Sequence, residues 1–191
     1  MKETFESLFN LRIKREGSQE LLDYIRQSDF FEAPASTKFH SAFKGGLVHH
    51  SLNVYDQLGA FFDGKNNDDK RMESIAICGL LHDLCKTNYY KIEMRNVKNQ
   101  LGVWVKVPYY TVDDQEPYGH GEKSVYIITQ FMKLTPEEAY AIRWHMGGFD
   151  EAVAGGSQAI SAAYYKYPLA VLLHMADMAA TFIDEKLPNQ E

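Results

Sequence analysis

The chain has 191 residues and a formal net charge of −6, and hydrophobic residues make up 45% of it. This length favours one domain with a sizeable core, and an acidic chain lacks the global positive field that recruits nucleic acid. No apolar run could span a bilayer, and the charged N-terminus lacks the apolar segment of a secretion signal, so we expect a soluble cytoplasmic protein with no membrane partner.

The first part of the chain predicts a helical extension, residues 1–34, ahead of a core at 35–185. Apolar residues recur at helical spacing in 3–14 and in 18–28. We expect this extension to pack on the outside of the core or to act in dimerisation, which would make the protein a homo-oligomer. Residues 29–45 then form an irregular connection, a kind of segment that often carries function.

A long helix is predicted from Gly46 to about Asp63, followed by a polar loop at 64–70. The helix carries two adjacent histidines, His49 and His50. Neighbours on a helix point about 100° apart, so only one of them can easily face a given metal ion.

The most informative stretch is Ala76–Lys86, which is almost wholly apolar until it reaches His82 and Asp83. It predicts a buried helix over about 70–86. A buried imidazole and carboxylate are costly unless something pairs with them. A divalent cation would do so, and this donor set suits a borderline metal such as Zn, Mn, Fe, Co or Ni. Alternatively, His82 and Asp83 pair with each other or with a helix end.

The same helix holds the two cysteines of the chain, Cys78 and Cys85. They lie about two helical turns apart, which is too far for a disulfide within one helix. Buried free thiols are typical of a reducing compartment.

Residues 88–113 change from helical periodicity to alternation and are rich in aromatic and β-branched residues. Tyr89–Asn96 and Val103–Val112 are predicted to be antiparallel strands of a hairpin. Because it follows His82 and Asp83 directly, we expect the hairpin close to the site. It would serve as a lid or as a wall for base stacking, or its aromatic side chains would pack on the helices. We expect the last for most of them.

A further helix is predicted to begin near Gly119, with His120, Glu122 and Lys123 in its first turn. Backbone N–H groups at such a helix start favour anions. Lys123 could therefore contact a phosphate, and Glu122 could act as a proton donor or as a hydrogen-bond acceptor. Both could equally be exposed charges.

The last predicted helices supply two more candidates. Thr135 and Glu138 form a capping box that starts a helix ending at His145, in a last turn where a histidine also suits the helix dipole. The final helix, 168–185, is apolar on most sides but carries Asp177 in its middle. A buried carboxylate there requires a partner, and a metal ion would serve.

In chain order the candidates form the pattern His…His-Asp…His…His…Asp: His50, His82, Asp83, His120, His145 and Asp177. Over about residues 35–181 this pattern resembles the HD-domain superfamily of metal-dependent phosphohydrolases. The superfamily usually has Glu-His where this chain has His49-His50, which selects His50 as the ligand. It usually has His-Asp-x-Gly-Lys where this chain has Cys85 in place of glycine. Arg143-Trp144-His145-Met146-Gly147 resembles the Arg-Tyr-His-x-x-Gly of its bacterial diadenosine-tetraphosphate hydrolases.

The resemblance implies a mostly α fold, an HD-domain helical bundle with an inserted antiparallel hairpin near 88–113. Residues 1–191 would form a single domain, with the metal-binding core at 35–185. The cofactor would be one or two divalent ions (Mn, Fe, Zn, Ni, Co or Mg). One ion would be held by His50, His82, Asp83 and Asp177, and a second by His120 and His145, with Asp83 bridging.

The resemblance also implies a small anionic substrate, a nucleotide or another phosphate ester, cleaved by a metal-activated water with Asp83 and Lys86 as catalytic residues. Lys86, Lys123 and Arg143 would stabilise phosphoryl charge. Lys86 has an alternative role, which is to cap the C-terminus of its helix. The exoribonuclease-like branch has a similar Lys-x-His before its Gly-Gly-Leu motif, so His40 is either a phosphate contact or an ordinary loop histidine.

Three alternatives stay open at this point. The enzyme could be mononuclear, with His120 and His145 binding phosphate instead of metal. It could be a di-iron oxygenase, because a few members of the superfamily use the same ligand order with O₂. It could also be a catalytically silent nucleotide-binding module, although a complete ligand set argues against lost catalysis.

Overall fold

The computed structural model describes residues 1–65 and 68–185. Residues 66–67, in the predicted polar loop, and 186–191, at the end of the predicted domain, lie outside the described residues. None of the described helices is both long and apolar enough to cross a membrane.

Helices dominate the chain, with one two-stranded antiparallel sheet, which confirms the predicted fold class. The α-helices are α1 Lys2–Arg12, α2 Ser18–Gln27, α3 Gly46–Ala60, α4 Asp69–Leu81, α5 His120–Thr129, α6 Pro136–Arg143, α7 Glu151–Ala154, α8 Ala159–Lys166 and α9 Pro168–Ala179. The strands are β1 Tyr90–Lys98 and β2 Trp104–Val112. Short 3-10 turns occupy Leu84–Lys86 and Gly147–Phe149, and a π-helical turn follows α9 at Ala180–Asp184.

The core lies where α3 packs against α4 and α9, with α6 against α5 and α9. The N-terminal helices join this core, because Phe5 and Phe9 of α1 and Leu22 of α2 are fully buried in the same apolar cluster as the residues of α4. The predicted capping box is confirmed. Thr135 accepts from the Glu138 backbone and the Glu138 side chain accepts from the Thr135 backbone.

A glycine allows the closest of these helix contacts. A Cβ built on Gly79 of α4 would lie 2.6 Å from the Cα of Tyr55 on α3. No real Cβ approaches a backbone atom that closely, so only glycine lets the two helices cross here. The crossing brings the C-terminal end of α4 beside the start of α3.

The predicted helix over 70–86 is wrong at its end. The α-helix stops at Leu81, Asp83 has φ −105° and ψ 21°, and the chain turns into the 3-10 segment Leu84–Lys86. Hydrophobic periodicity cannot show this break, because the apolar residues continue through Leu84. Asp83 and Lys86 lie on the same side of this turn, and their side chains form an ion pair with Nζ 2.7 Å from Oδ2.

The hairpin is present, with Tyr90 opposite Val112 and Lys98 opposite Trp104. Its base contacts the helical body, since the Tyr90 hydroxyl donates to the carbonyl of Ala35 at 3.2 Å. Most of its other side chains are exposed, including Trp104 at 64%. Trp104 is therefore an exception to the expectation that most of its aromatic side chains pack on the helices, which stays a prediction for the others.

Candidate metal centre

The side chains that form the sequence pattern converge on the carboxylate of Asp83. Its Oδ1 lies 2.9 Å from Nε2 of His120 and 3.5 Å from Nε2 of His145. Its Oδ2 lies 3.6 Å from Nε2 of His50 and 3.5 Å from Nε2 of His82. The two oxygens thus face two different pairs of imidazoles, contributed by different helices.

Asp177 completes the cluster from α9, with Oδ1 3.2 Å from Nε2 of His50. His82, Asp83 and His145 are buried, whereas the side chain of His120 is 27% exposed and that of Asp177 is 16% exposed. The cluster is therefore accessible to solvent at His120 and at Asp177.

Hydrogen bonds on the far side of the rings aim the imidazoles inward. Nδ1 of His82 lies 2.9 Å from the carbonyl oxygen of Gly79, and Nδ1 of His145 lies 2.7 Å from that of Ile142. A carbonyl can only accept, so Nδ1 donates in both rings and Nε2 is the nitrogen that faces the cluster. Among the described residues, Nε2 of His145 is buried without a hydrogen-bond partner. An unpartnered ring nitrogen beside a carboxylate is what a cation would satisfy, so the residues present fit a divalent metal.

Glu185 is a member of this site that the sequence analysis missed. Its buried carboxylate accepts from Nδ1 of His50 at 3.0 Å, from Nδ2 of Asn53 at 2.9 Å and from the hydroxyl of Ser41 at 2.6 Å. The π-helical turn after α9 carries it there. No local signal marks it, because in sequence it stands in an ordinary polar stretch near the chain end.

The pKa is raised in two of the clustered histidines, His50 and His120, and lowered in His82. Burial opposes a charge on His50, but the hydrogen bonds to Asp177 and Glu185 outweigh it and raise its pKa to about 9. Burial likewise opposes protonation of His120, but Cys85 and Asp83 beside it raise its pKa to about 10. Burial dominates at His82 and lowers its pKa to about 3.

The carboxylates stay ionised despite their burial. Burial raises the pKa of Asp83, but Lys86 and the neighbouring histidines outweigh it and hold that pKa well below the usual range. Burial is likewise outweighed at Asp177 by the hydrogen bond to His50, so its pKa is also lowered. The positive charges of protonated His50 and His120 thus neutralise the negative charges of these carboxylates. A divalent ion would neutralise them equally well.

The predicted substrate-binding residues have varied surroundings. Lys86 pairs with Asp83 inside the cluster. Lys123 is buried and pairs with Asp114 at 2.7 Å. Arg143 pairs with Asp150 at 2.7 Å and also with Glu122.

Three further histidines surround the cluster. The ring of His40 lies 4.8 Å from that of His50, and its Nε2 is buried without a hydrogen-bond partner in the described part of the chain. Nδ1 of His174 lies 2.7 Å from the carbonyl of His145, which helps to fix the backbone of that residue. Nδ1 of His49 lies 3.0 Å from the Ser41 hydroxyl, which donates to Glu185.

A comparison with protein families finds that the model described as "HD domain" matches residues 47–180, well over half of the chain. Comparisons with curated proteins and with solved structures find no match. The matched range contains all the side chains that meet at Asp83, and it excludes Glu185 and His40.

Proposed function

The chain belongs to the HD domain family, and on that premise we propose that it is a metal-dependent phosphohydrolase acting on a nucleotide or another small phosphate ester. Membership of the family indicates the superfamily of metal-dependent phosphohydrolases and implies binding of a divalent metal. The reaction, the substrate class and the role of each residue are our proposal.

One observation carries this proposal, namely the division of the Asp83 oxygens between two sets of ligands. Oδ2 faces His50 and His82, and Oδ1 faces His120 and His145. A carboxylate placed in this way suits a bridge between two cations. His50, His82, Asp83 and Asp177 would hold one ion, and Asp83, His120 and His145 the other.

When bound, such ions would supply an activated water and neutralise charge on the phosphoryl group. The residues of the chain would do the rest. Lys86, whose pKa is raised because Asp83 lies beside it although burial opposes the charge, would stay protonated and hold a phosphoryl oxygen. The solvent-accessible positions at His120 and Asp177 would admit the substrate, and His40, whose ring lies 4.8 Å from that of His50, would contact its phosphate.

Phosphate release tests the proposal. We would screen nucleotides, dinucleotides and a generic phosphate ester with Mn²⁺, with Zn²⁺ and with a chelator. We expect release that depends on metal, disappears with chelator and falls by orders of magnitude in Asp83→Asn, because this substitution removes the charge shared by both ligand sets. Asp23→Asn, an exposed aspartate on α2, is the matched control and should be fully active.

A specific result would overturn the proposal. If protein shown to contain its metal released no phosphate from any substrate, the phosphohydrolase assignment would be wrong. Iron content with substrate-dependent O₂ uptake would then favour the oxygenase alternative, and tight nucleotide binding without turnover would favour a binding module.

A further inference from the structure

Cys85 touches the candidate metal centre, although the proposed reaction assigns it no role. It is 3% exposed. Its Sγ lies 3.4 Å from Nδ1 and 3.6 Å from Nε2 of His120. Donor atoms of Asp83, Cys85 and His120 all lie within 4.8 Å of one another, which is close enough for them to share one ion.

The end of α4 is what places this thiol. In a continuous helix, Asp83 and Cys85 would point about 200° apart, on nearly opposite sides. Because the helix stops at Leu81 and a 3-10 turn begins at Leu84, both side chains reach the same cluster. The backbone N–H of Cys85 donates to the hydroxyl of Ser124 at 3.0 Å, which ties the thiol to α5, the helix that carries His120.

The distance from the sulfur to His120 is compatible with a shared ion. Sγ lies 3.6 Å from Nε2, the ring nitrogen that also lies 2.9 Å from Oδ1 of Asp83. A tetrahedral zinc ion with bonds of about 2.3 Å to sulfur and 2.05 Å to nitrogen separates these ligands by about 3.6 Å. The observed distance from Sγ to Nε2 is 3.6 Å.

The Nε2 of His145, buried and without a hydrogen-bond partner among residues 1–65 and 68–185, provides an independent sign of a cation beside Asp83. It lies 3.5 Å from Oδ1 of Asp83, on the same side of the carboxylate as His120. Asp83, Cys85 and His120 thus offer three donors to one ion and leave a fourth position open, as in a catalytic zinc site.

We propose that the thiolate of Cys85 is a further protein ligand of the ion that Asp83 and His120 would hold. This site then prefers a thiophilic cation such as Zn²⁺ or Co²⁺ to Mg²⁺ or Mn²⁺. On binding, the S–H bond breaks, the sulfur keeps the electron pair for the metal and the proton leaves to solvent. The inference rests on the metal-binding part of the proposed function, and it adds the choice of metal.

Cobalt spectroscopy tests the ligand directly and needs no turnover. We would titrate metal-free protein with Co²⁺ and record the absorption spectrum. Visible ligand-field bands report the bound ion, and a near-ultraviolet charge-transfer band reports a thiolate bound to it. We expect both in the wild type. Cys85→Ala should keep visible bands from the ion at His50 and lose the near-ultraviolet band. Cys78→Ala is the matched control and should keep both, since Cys78 is sealed in the core and these are the two cysteines of the chain.

The affinity of the second ion gives a second readout. Losing a partner outside the ligand shell typically weakens metal binding by about 10–100-fold, so losing a ligand should cost at least about tenfold for Zn²⁺. Mn²⁺ binding should change much less in Cys85→Ala, because Mn²⁺ gains little from a soft ligand. Equal losses for the two metals would contradict the inference.

Each remaining outcome also decides the question. Visible bands without a charge-transfer band in the wild type would overturn the role of Cys85 and leave the metal centre intact. Failure of the protein to bind Co²⁺, Zn²⁺ or Mn²⁺ at all would overturn the proposed function and this inference together. If Cys85→Ala failed to fold, the band in Cys78→Ala would identify Cys85 by elimination.

Discussion

Replacing Glu185 by alanine should weaken binding of the ion that His50 would hold. Glu185 Oε1 accepts from Nδ1 of His50 at 3.0 Å and from Nδ2 of Asn53 at 2.9 Å. Without the carboxylate, His50 loses the partner that fixes its ring, and a buried N–H is left unsatisfied. Such a group costs about 1–3 kcal/mol.

The expected change follows from two independent magnitudes. Loss of a hydrogen-bond partner behind a metal-binding histidine typically reduces affinity by about 10–100-fold. That range corresponds to about 1.4–2.7 kcal/mol, in agreement with the cost of an unsatisfied buried N–H. We therefore expect the Kd for Mn²⁺ or Zn²⁺ at this site to rise by about 10–100-fold.

Competition against a chromophoric chelator at fixed pH would measure the change. Glu185→Gln should be milder, because its carbonyl can accept from His50 and Asn53 while its amide donates to the Ser41 hydroxyl. Asp184→Ala is the matched control, since that neighbouring carboxylate is exposed and accepts from Gln57 at 2.8 Å. Glu185→Ala protein that bound metal as tightly as Asp184→Ala protein would refute the reasoning.

Three further predictions concern pH, stability and metal removal. The pKa values of His50 and His120 are raised to about 9 and about 10, so at neutral pH a metal must displace their protons. Metal affinity should therefore rise as the pH increases towards these two pKa values, by up to roughly tenfold per pH unit for each proton released. An affinity that did not change with pH in the same competition assay would contradict this. Glu138→Ala should destabilise the fold by roughly 2–3 kcal/mol in urea unfolding, because the buried carboxylate pairs with Arg15 at 2.6 Å; an unchanged midpoint would show that the pair contributes nothing. Saturating metal at a hundred times its Kd should stabilise the wild type by about 2.7 kcal/mol, and chelator should reverse the gain, whereas an equal gain in Asp83→Asn would mean that the metal binds elsewhere.

The start of α6 and the hairpin were predictable because their causes are local. The capping box of Thr135 and Glu138 uses residues three apart, and the alternation of apolar and polar residues predicts the strands. The side chains of the centre could be named for a related reason. Buried imidazoles and carboxylates stand out in apolar segments, because leaving them unpaired is costly wherever the segment packs.

Tertiary contacts determine the features of the site that have no local sequence signal. The end of α4 at Leu81 leaves no mark in hydrophobic periodicity, yet it sets the direction of Asp83 and brings Cys85 beside His120. The local sequence does not distinguish Glu185 from an exposed surface charge. The π-helical turn after α9 places it against His50.

Residue types and their spacing thus indicate which side chains are candidates for metal chemistry and which class of fold carries them. The packing of the helices sets which oxygen of Asp83 faces which histidines. Separation along the chain explains the difference. Helix and strand patterns arise from neighbours a few residues apart, whereas the site joins α3, α4, α5, α6 and α9, whose relative positions depend on contacts across the whole core.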